Sequence, residues 1–365
     1  RLSGDGRFSS VREYLPAAKL SPDLKRMLDA GAETVEVVLV TLSAEDRLAV
    51  RERVRSLGGE LLTGCFDSGD NFRARLSAEQ VARLASCGDV RWMERFVRPQ
   101  VANDYAVEPE AMNVRALWLS DANPLGLSGA GQIISTSDSG IDTGNLETMH
   151  KDLRNQICGM TNVEGCVMHD GLGHGTHTAG SIVGDGTLSD GKIRGAAWGA
   201  KLYAWFCGKD GDRGIYTPSS VAELFRPDQE NFPAYIHSAS WGSSMYGGYT
   251  KNCADIDRYV WENADFLPVF SAGNDGEFGA VTVGSPATAK NLLAVGATQN
   301  LRTSYPKNDH PTGNPSRTAS FSSRGPCADG RIKPDIAAPG VGILSTRAYD
   351  CTYSRGLSPD GHYAY

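Results

Sequence analysis

DGLGHGTHTAGSIVG, residues 170–184, sets two histidines three apart among glycines and threonines before the apolar Ile182-Val183. Small residues at helical spacing let a helix press against a sheet, and histidines at i and i+3 share one face. His174 then sits in the first turn, open to a cleft, with His177 one turn on. For His177 the plainer reading is a core histidine, because buried imidazoles normally find hydrogen-bond partners. A metal site from His169, Asp170, His174 and His177 lacks the H-E-x-x-H spacing and its general-base glutamate, so no metal ligand is assigned.

Upstream, GQIISTSDSGIDTG (131–144) ends an apolar strand at Asp138, where Ser139-Gly140 turns the chain. A carboxylate there can accept turn N–H groups and orient a neighbouring imidazole. Taken alone, Asp at a strand-ending turn is more often only a turn former. Downstream, FLPVFSAGNDG (266–276) carries a strand into a turn at Asn274, whose amide can donate to an oxyanion. Short apolar strands at Ala234–Ser240, Leu267–Ser271 and Leu292–Gly296 alternate with helical stretches such as Asp255–Asn263. This pattern predicts an α/β domain with a largely parallel sheet and sites at the carboxyl ends of its strands.

The first hundred residues have a different rhythm. Ser21-Pro22 opens a short helix that stops at Gly31, and ETVEVVLVT (33–41) reads as a strand. Ser43 with Asp46 caps a helix carrying Val50, Val54 and Leu57, and Gly58-Gly59 ends it. ELLTGCF and NFRARL flank a hairpin turn at Asp67–Asp70. Ser77 and Gln80 cap a second helix, and DVRWMERF supplies the last strand. The order β-α-β-β-α-β predicts a small ferredoxin-like α+β module. It holds no cluster of acid, base and nucleophile, so it reads as a folding or binding module. RFVRPQVANDYA then reads as a linker.

Composition narrows the partners. The 365 residues carry 36 basic and 43 acidic side chains, a net charge of −7, which gives no cationic field for nucleic acid or an anionic membrane. Residues 1–102 are near neutral at +1 and the remainder is −8, which suits a boundary near residue 100. No apolar run reaches the roughly 18–20 residues of a membrane span. The chain begins at Arg1 with neither methionine nor a signal-peptide stretch and reads as processed or trimmed. Eight cysteines without paired C-x-x-C spacing suit disulfides in an oxidising compartment better than inert thiols, with Cys158 and Cys166 as the first pair to examine.

SDSGIDTG, GHGTHTAG, SASWGS and SAGND occur in the order seen in the subtilisin-like serine proteases, and SFSSRGP (320–326) and KPDIAAPG (333–340) extend the resemblance from about residue 103 to the end. HGTH-x-AG together with AAPG is highly specific. The first hundred residues resemble the inhibitory propeptides that precede such domains. The resemblance implies a subtilisin-like parallel-sheet catalytic domain (103–365) after an N-terminal extension and propeptide (1–102). It implies Asp138 as triad aspartate, His174 as general base and Asn274 as oxyanion donor. Ser240, Trp241 and Gly242 would pair with extended substrate, and Trp241 would narrow a neighbouring subsite. Ser271, Ala272 and Gly273 would form the opposite wall of the specificity pocket. The substrates would be polypeptides, cleaved with broad preference, and the propeptide would be an intramolecular inhibitor, with 96–102 along the cleft and cleavage near Ala102-Asn103. No cofactor is needed for this chemistry. Calcium often stabilises the family, although no D-x-[DN]-x-[DN]-G loop occurs here. TVGSPATAKNLLAVGATQNLRTS and FSSRGPCADGRIKPDIAAPG most resemble secreted bacterial alkaline subtilisins, which implies an extracellular location and often a β-sandwich after the protease domain.

The resemblance breaks at one place. The family's nucleophile lies in a G-T-S-M-A stretch after A-A-P-G, whereas this chain runs AAPGVGILSTRAYDCTYSRGLSPDGHYAY to Tyr365 without it. A chain cut at Tyr365 with the nucleophile on a second polypeptide, a truncated chain and a catalytically inactive subtilisin-fold regulatory or binding protein all remain open. Processing or truncation is favoured, because Asp138, His174 and Asn274 persist. Ser244, in WGSSMYGG (241–248), imitates a nucleophile motif but precedes Asn274 and is expected to be a decoy.

Overall fold

Ser21 caps the first helix, α1 (Pro22–Asp29), by accepting the Leu24 N–H, and Pro22 occupies the first turn, where its missing N–H costs nothing. Strand β1 (Thr34–Thr41) and helix α2 (Asp46–Ser56) follow, then β2 (Glu60–Leu62) and β3 (Asn71–Ser77). Helix α3 (Ala78–Ala85) starts with the expected capping box, Ser77 accepting the Gln80 N–H and Gln80 accepting the Ser77 N–H, before β4 (Val90–Arg95). The antiparallel sheet has the order β2-β3-β1-β4, the ferredoxin-like arrangement that the sequence predicts. Leu24, Val37, Leu39, Val50, Val54, Phe72, Leu76, Leu84 and Met93 form its buried core.

The structure, a computed structural model, describes residues 15–62, 69–96, 100–101, 117, 126–225, 231–299, 314–351 and 361–364. The chain divides into two compact units, Arg1–Phe96 and Val97–Tyr365. Cys65, the Asp67-Ser68 half of the hairpin turn and the expected cleavage point at Ala102-Asn103 lie outside the described residues.

In the second unit the described elements are β5 (Gln100–Val101), β6 (Ile133–Asp138), α4 (Lys151–Arg154), β7 (Ile157–Asn162), α5 (His174–Val183), β8 (Lys201–Phe206), β9 (Ile236–Ala239) and β10 (Trp241–Gly242). After them come α6 (Lys251–Glu262), β11 (Leu267–Ser271), β12 (Leu293–Thr298), β13 (Ile336–Pro339), β14 (Ser345–Thr346) and β15 (Tyr363–Ala364). Seven strands form one parallel sheet in the order β13-β12-β11-β9-β6-β8-β7. Among the described residues no helix is long and apolar enough to cross a membrane.

Helix α6 begins four residues before the expected start at Asp255. Asp255 is buried inside the helix, neutralised by Lys251 at 2.6 Å and Arg258 at 3.2 Å, so its charge does not mark a helix end. The disulfide expectation is corrected among the described residues: Cys87, Cys158, Cys166, Cys207, Cys253, Cys327 and Cys351 are not joined in disulfides. Cys158 lies within β7, and the rest of that extended strand separates it from Cys166. Its thiol donates to Leu202 O, and burial pushes its pKa up.

One face of the sheet's β9-to-β13 half is half-exposed. Ile236 pairs with Leu267, Ser238 and Leu293 flank Val269, and Val295 pairs with Ile336, so these side chains form contiguous rows. Ile236, Leu267 and Ile336 are 41%, 42% and 53% exposed, whereas His237, Phe270 and Ala294 on the alternate positions are buried. Parallel sheets ordinarily have both faces covered.

Candidate active site

Asp138 is the last residue of β6, in register with Phe206 of β8, and its carboxylate is almost wholly buried. Oδ1 accepts the Ser139 N–H at 2.7 Å and lies 2.7 Å from His174 Nδ1, while Oδ2 accepts Thr178 Oγ1 at 3.3 Å. A carboxylate only accepts, so Nδ1 carries the proton and Nε2 is the basic nitrogen. The sequence places His174 open to a cleft, yet the residue is only 6% exposed. A Cβ on Gly175 would overlap Gly140 O, so glycine lets the first turn of α5 press onto the Asp138 turn and enclose the ring.

Asp170 holds that turn of helix in place. Its Oδ1 accepts Ser139 Oγ and Gly173 N, both at 2.8 Å, and its Oδ2 accepts Thr176 N at 2.8 Å and Thr176 Oγ1 at 2.6 Å. Ser139 Oγ in turn accepts Gly175 N at 2.9 Å, tying helix to strand end. Burial pushes the Asp170 carboxyl above its ordinary range, opposed by the Thr176 and Ser139 hydrogen bonds. Sequence reasoning weighed Asp170 only as a metal ligand. The available signal was an aspartate three residues before Gly173, the cap position of a helix, where glycine has no capping side chain. His177 is buried, with Nε2 3.0 Å from Ala364 O and 3.2 Å from Ile343 O, in keeping with a core histidine. Among the described residues no group of three or more His, Cys, Asp and Glu is placed to hold a metal ion.

Asn274 is exposed and lines a cavity of about 150 Å³ together with Ser240, Ser271, Ala272, Gly273 and the Pro339-Gly340 end of β13. The cavity lies at the carboxyl ends of β9, β11 and β13, where ligands of open α/β sheets gather. Ser323, from the SFSSRGP stretch, pins the Asn274 turn: its N–H donates to Gly273 O at 2.9 Å, and its Oγ accepts Asp275 N at 3.0 Å. That role was not read from sequence, since the segment served only as a signature. Ser244 Oγ donates to Asp275 Oδ2 at 2.5 Å, so its hydrogen bond runs to a carboxylate and not to the His174 ring.

Trp241 and Gly242 form β10, which pairs antiparallel with Gln100–Val101, so the backbone of this segment accepts an added strand. Neither residue lines the cavity of Asn274. The expectation that Trp241 narrows a subsite is corrected. Its side chain is wholly buried, with Nε1 donating to Ser137 O at 2.9 Å and the ring edge-on to Phe270 at 5.3 Å. An indole finds its apolar contacts and its acceptor inside the core and so turns away from solvent.

The family model described as Subtilase family, Peptidase S8, matches residues 129–358. Serine protease AprX of Bacillus subtilis is 31% identical over 230 residues, covering 61% of this chain and 49% of that protein. The serine protease/ABC transporter B family protein tagD of Dictyostelium discoideum is 24% identical over 420 residues, covering 90% of this chain and 22% of that protein. The chain thus spans less than half the length of either relative. Among solved structures, the epidermin leader peptide processing serine protease of Staphylococcus aureus superposes with a TM-score of 0.54 at 16% identity. That match covers 92% of this chain and 84% of the other.

Proposed function

The chain belongs to the subtilase family, and on that premise we propose that it provides the acid–base and oxyanion parts of a secreted serine endopeptidase. The observation that carries this reading is the buried 2.7 Å contact between Asp138 and His174 Nδ1 at the carboxyl end of a central parallel strand. His174 Nε2 takes the proton of a serine hydroxyl as the serine oxygen bonds to the scissile carbonyl carbon, and Asp138 stabilises the imidazolium. Asn274 donates to the carbonyl oxygen as it becomes negative. The imidazolium then protonates the leaving amine, and water, deprotonated by the same ring, releases the acyl group.

The serine comes from a segment beyond Tyr365, on the same or a second polypeptide. The half-exposed apolar face formed by Ile236, Leu267, Val269, Val295 and Ile336 supports this, since a covering helix there would complete the sheet's second layer. Residues 1–102 serve as the propeptide, with Gln100–Val101 along β10 as product would lie. The ferredoxin-like order of the first unit and the antiparallel pairing of Gln100–Val101 with Trp241–Gly242 support this role.

A fluorophosphonate probe on the complete protein tests the reading. Labelling of a serine on the downstream segment after propeptide removal is the expected result, and no labelling leaves the inactive binding-protein reading in possession. Two substitutions refine it. Asn274→Ala is expected to lower kcat by about a hundred- to a thousandfold with KM within a few fold, and an unchanged kcat removes Asn274 from the oxyanion site. Ser244→Ala is expected to retain kcat within about threefold, because the change removes only one exposed hydrogen bond to Asp275. Loss of acylation in a folded Ser244→Ala protein would reinstate that serine.

A further inference from the structure

His237 on β9 is wholly buried and stands between two serines of β6, with Nδ1 2.8 Å from Ser135 Oγ and Nε2 2.9 Å from Ser137 Oγ. Ser135 Oγ has a single proton, and carbonyl oxygens of Phe225 (3.1 Å) and Ile236 (3.3 Å) are there to take it. Ser135 therefore accepts from Nδ1–H, which makes the neutral ring an acceptor at Nε2 for the Ser137 hydroxyl. Ser137 Oγ is in turn 3.1 Å from Trp241 Nε1 and accepts its N–H. The result is a one-directional chain, Trp241 to Ser137 to His237 to Ser135 to a backbone carbonyl, with every buried polar group satisfied. Burial lowers the His237 pKa to about 3, in keeping with a ring that stays neutral.

The two ends of this chain matter. Ser137 immediately precedes Asp138, and Trp241 lies on the strand that pairs with Gln100–Val101. We propose that His237 is a positioning residue: the Ser135–His237–Ser137–Trp241 chain fixes the peptide-pairing strand β10 relative to the strand that carries Asp138. Three apolar side chains would fill the same space without setting an angle or register, whereas directional hydrogen bonds specify both. This inference rests on the protease reading, because it gives β10 a substrate to position.

The test compares wild type with a triple variant, Ser135→Ala, His237→Leu and Ser137→Ala, in the complete protease. The triple change leaves no orphaned hydroxyl, and Trp241 Nε1 keeps Ser137 O as its acceptor, so a urea midpoint close to wild type is expected. KM for peptides long enough to pair with β10 is expected to rise about tenfold, while hydrolysis of a minimal ester, which does not pair with that strand, changes less than twofold. Imidazole nitrogen NMR of wild type is expected to show His237 neutral and protonated at Nδ1 from pH 5 to 8. A stable triple variant with wild-type peptide KM, or a His237 protonated at Nε2, overturns the inference alone. A wild-type protein that cleaves no peptide sinks the protease reading and the inference with it.

Discussion

His174→Ala in the complete protein is expected, on the proposed reading, to lower kcat for peptide cleavage about a millionfold, near 8 kcal/mol of transition-state stabilisation, with KM changed only a few fold. The size follows from the geometry. Asp138 accepts from Nδ1, which leaves Nε2 as the basic nitrogen, and the imidazole is enclosed rather than solvated. Without the ring, the serine must lose its proton to water, and the leaving amine has no acid. KM is expected to be spared because, on the proposed reading, peptide affinity comes from backbone pairing along β10, where Gln100–Val101 pairs, and not from the imidazole. The measurement is single-turnover cleavage together with the rate of probe labelling. A loss of less than about a hundredfold would show that another group supplies the base.

Asp138→Asn is expected to lower kcat about ten-thousandfold at neutral pH while the protein stays folded. Oδ1 accepts both the Ser139 N–H and the imidazole N–H, so the amide oxygen belongs at that position and its NH2 group faces Thr178. In that orientation the shape survives and only the negative charge is lost, so the imidazolium formed in the transition state is no longer neutralised. If the amide turns the other way, its N–H meets Nδ1 and forces the proton onto Nε2, which removes the base altogether. Both orientations predict a large fall in kcat and a modest change in melting temperature. A fall of less than tenfold with intact folding would take Asp138 out of the mechanism.

Much of the architecture is legible in the sequence because its signals are local. The capping box at Ser77 and Gln80 and the alternation of β1 specify the first unit without reference to the rest of the chain. Asp138 and His174 were readable for a related reason. Each stands at a strand end or helix start that glycine and small residues announce, and their family motifs are short and contiguous. Asp170 escaped because its four donors come from the turn of helix and the Asp138 loop, 3 to 31 residues away. Trp241 was misjudged because an exposed and a buried indole read alike until its acceptor, Ser137 O, is placed 104 residues away.

By itself the sequence determined the β-α-β-β-α-β order and the parallel sheet, since each depends on spacing along a few residues, and its resemblance to the subtilases singled out Asp138 and His174. The tertiary structure alone decided the direction of the Trp241 side chain, the absence of disulfides among the described cysteines and the closure of Asp170 around the His174 turn. It also decided that Ser135, Ser137 and His237 meet. Those outcomes depend on which strands become neighbours. The pairing of β6 with β9 brings together hydroxyls and an imidazole about a hundred residues apart, and no local periodicity encodes that encounter.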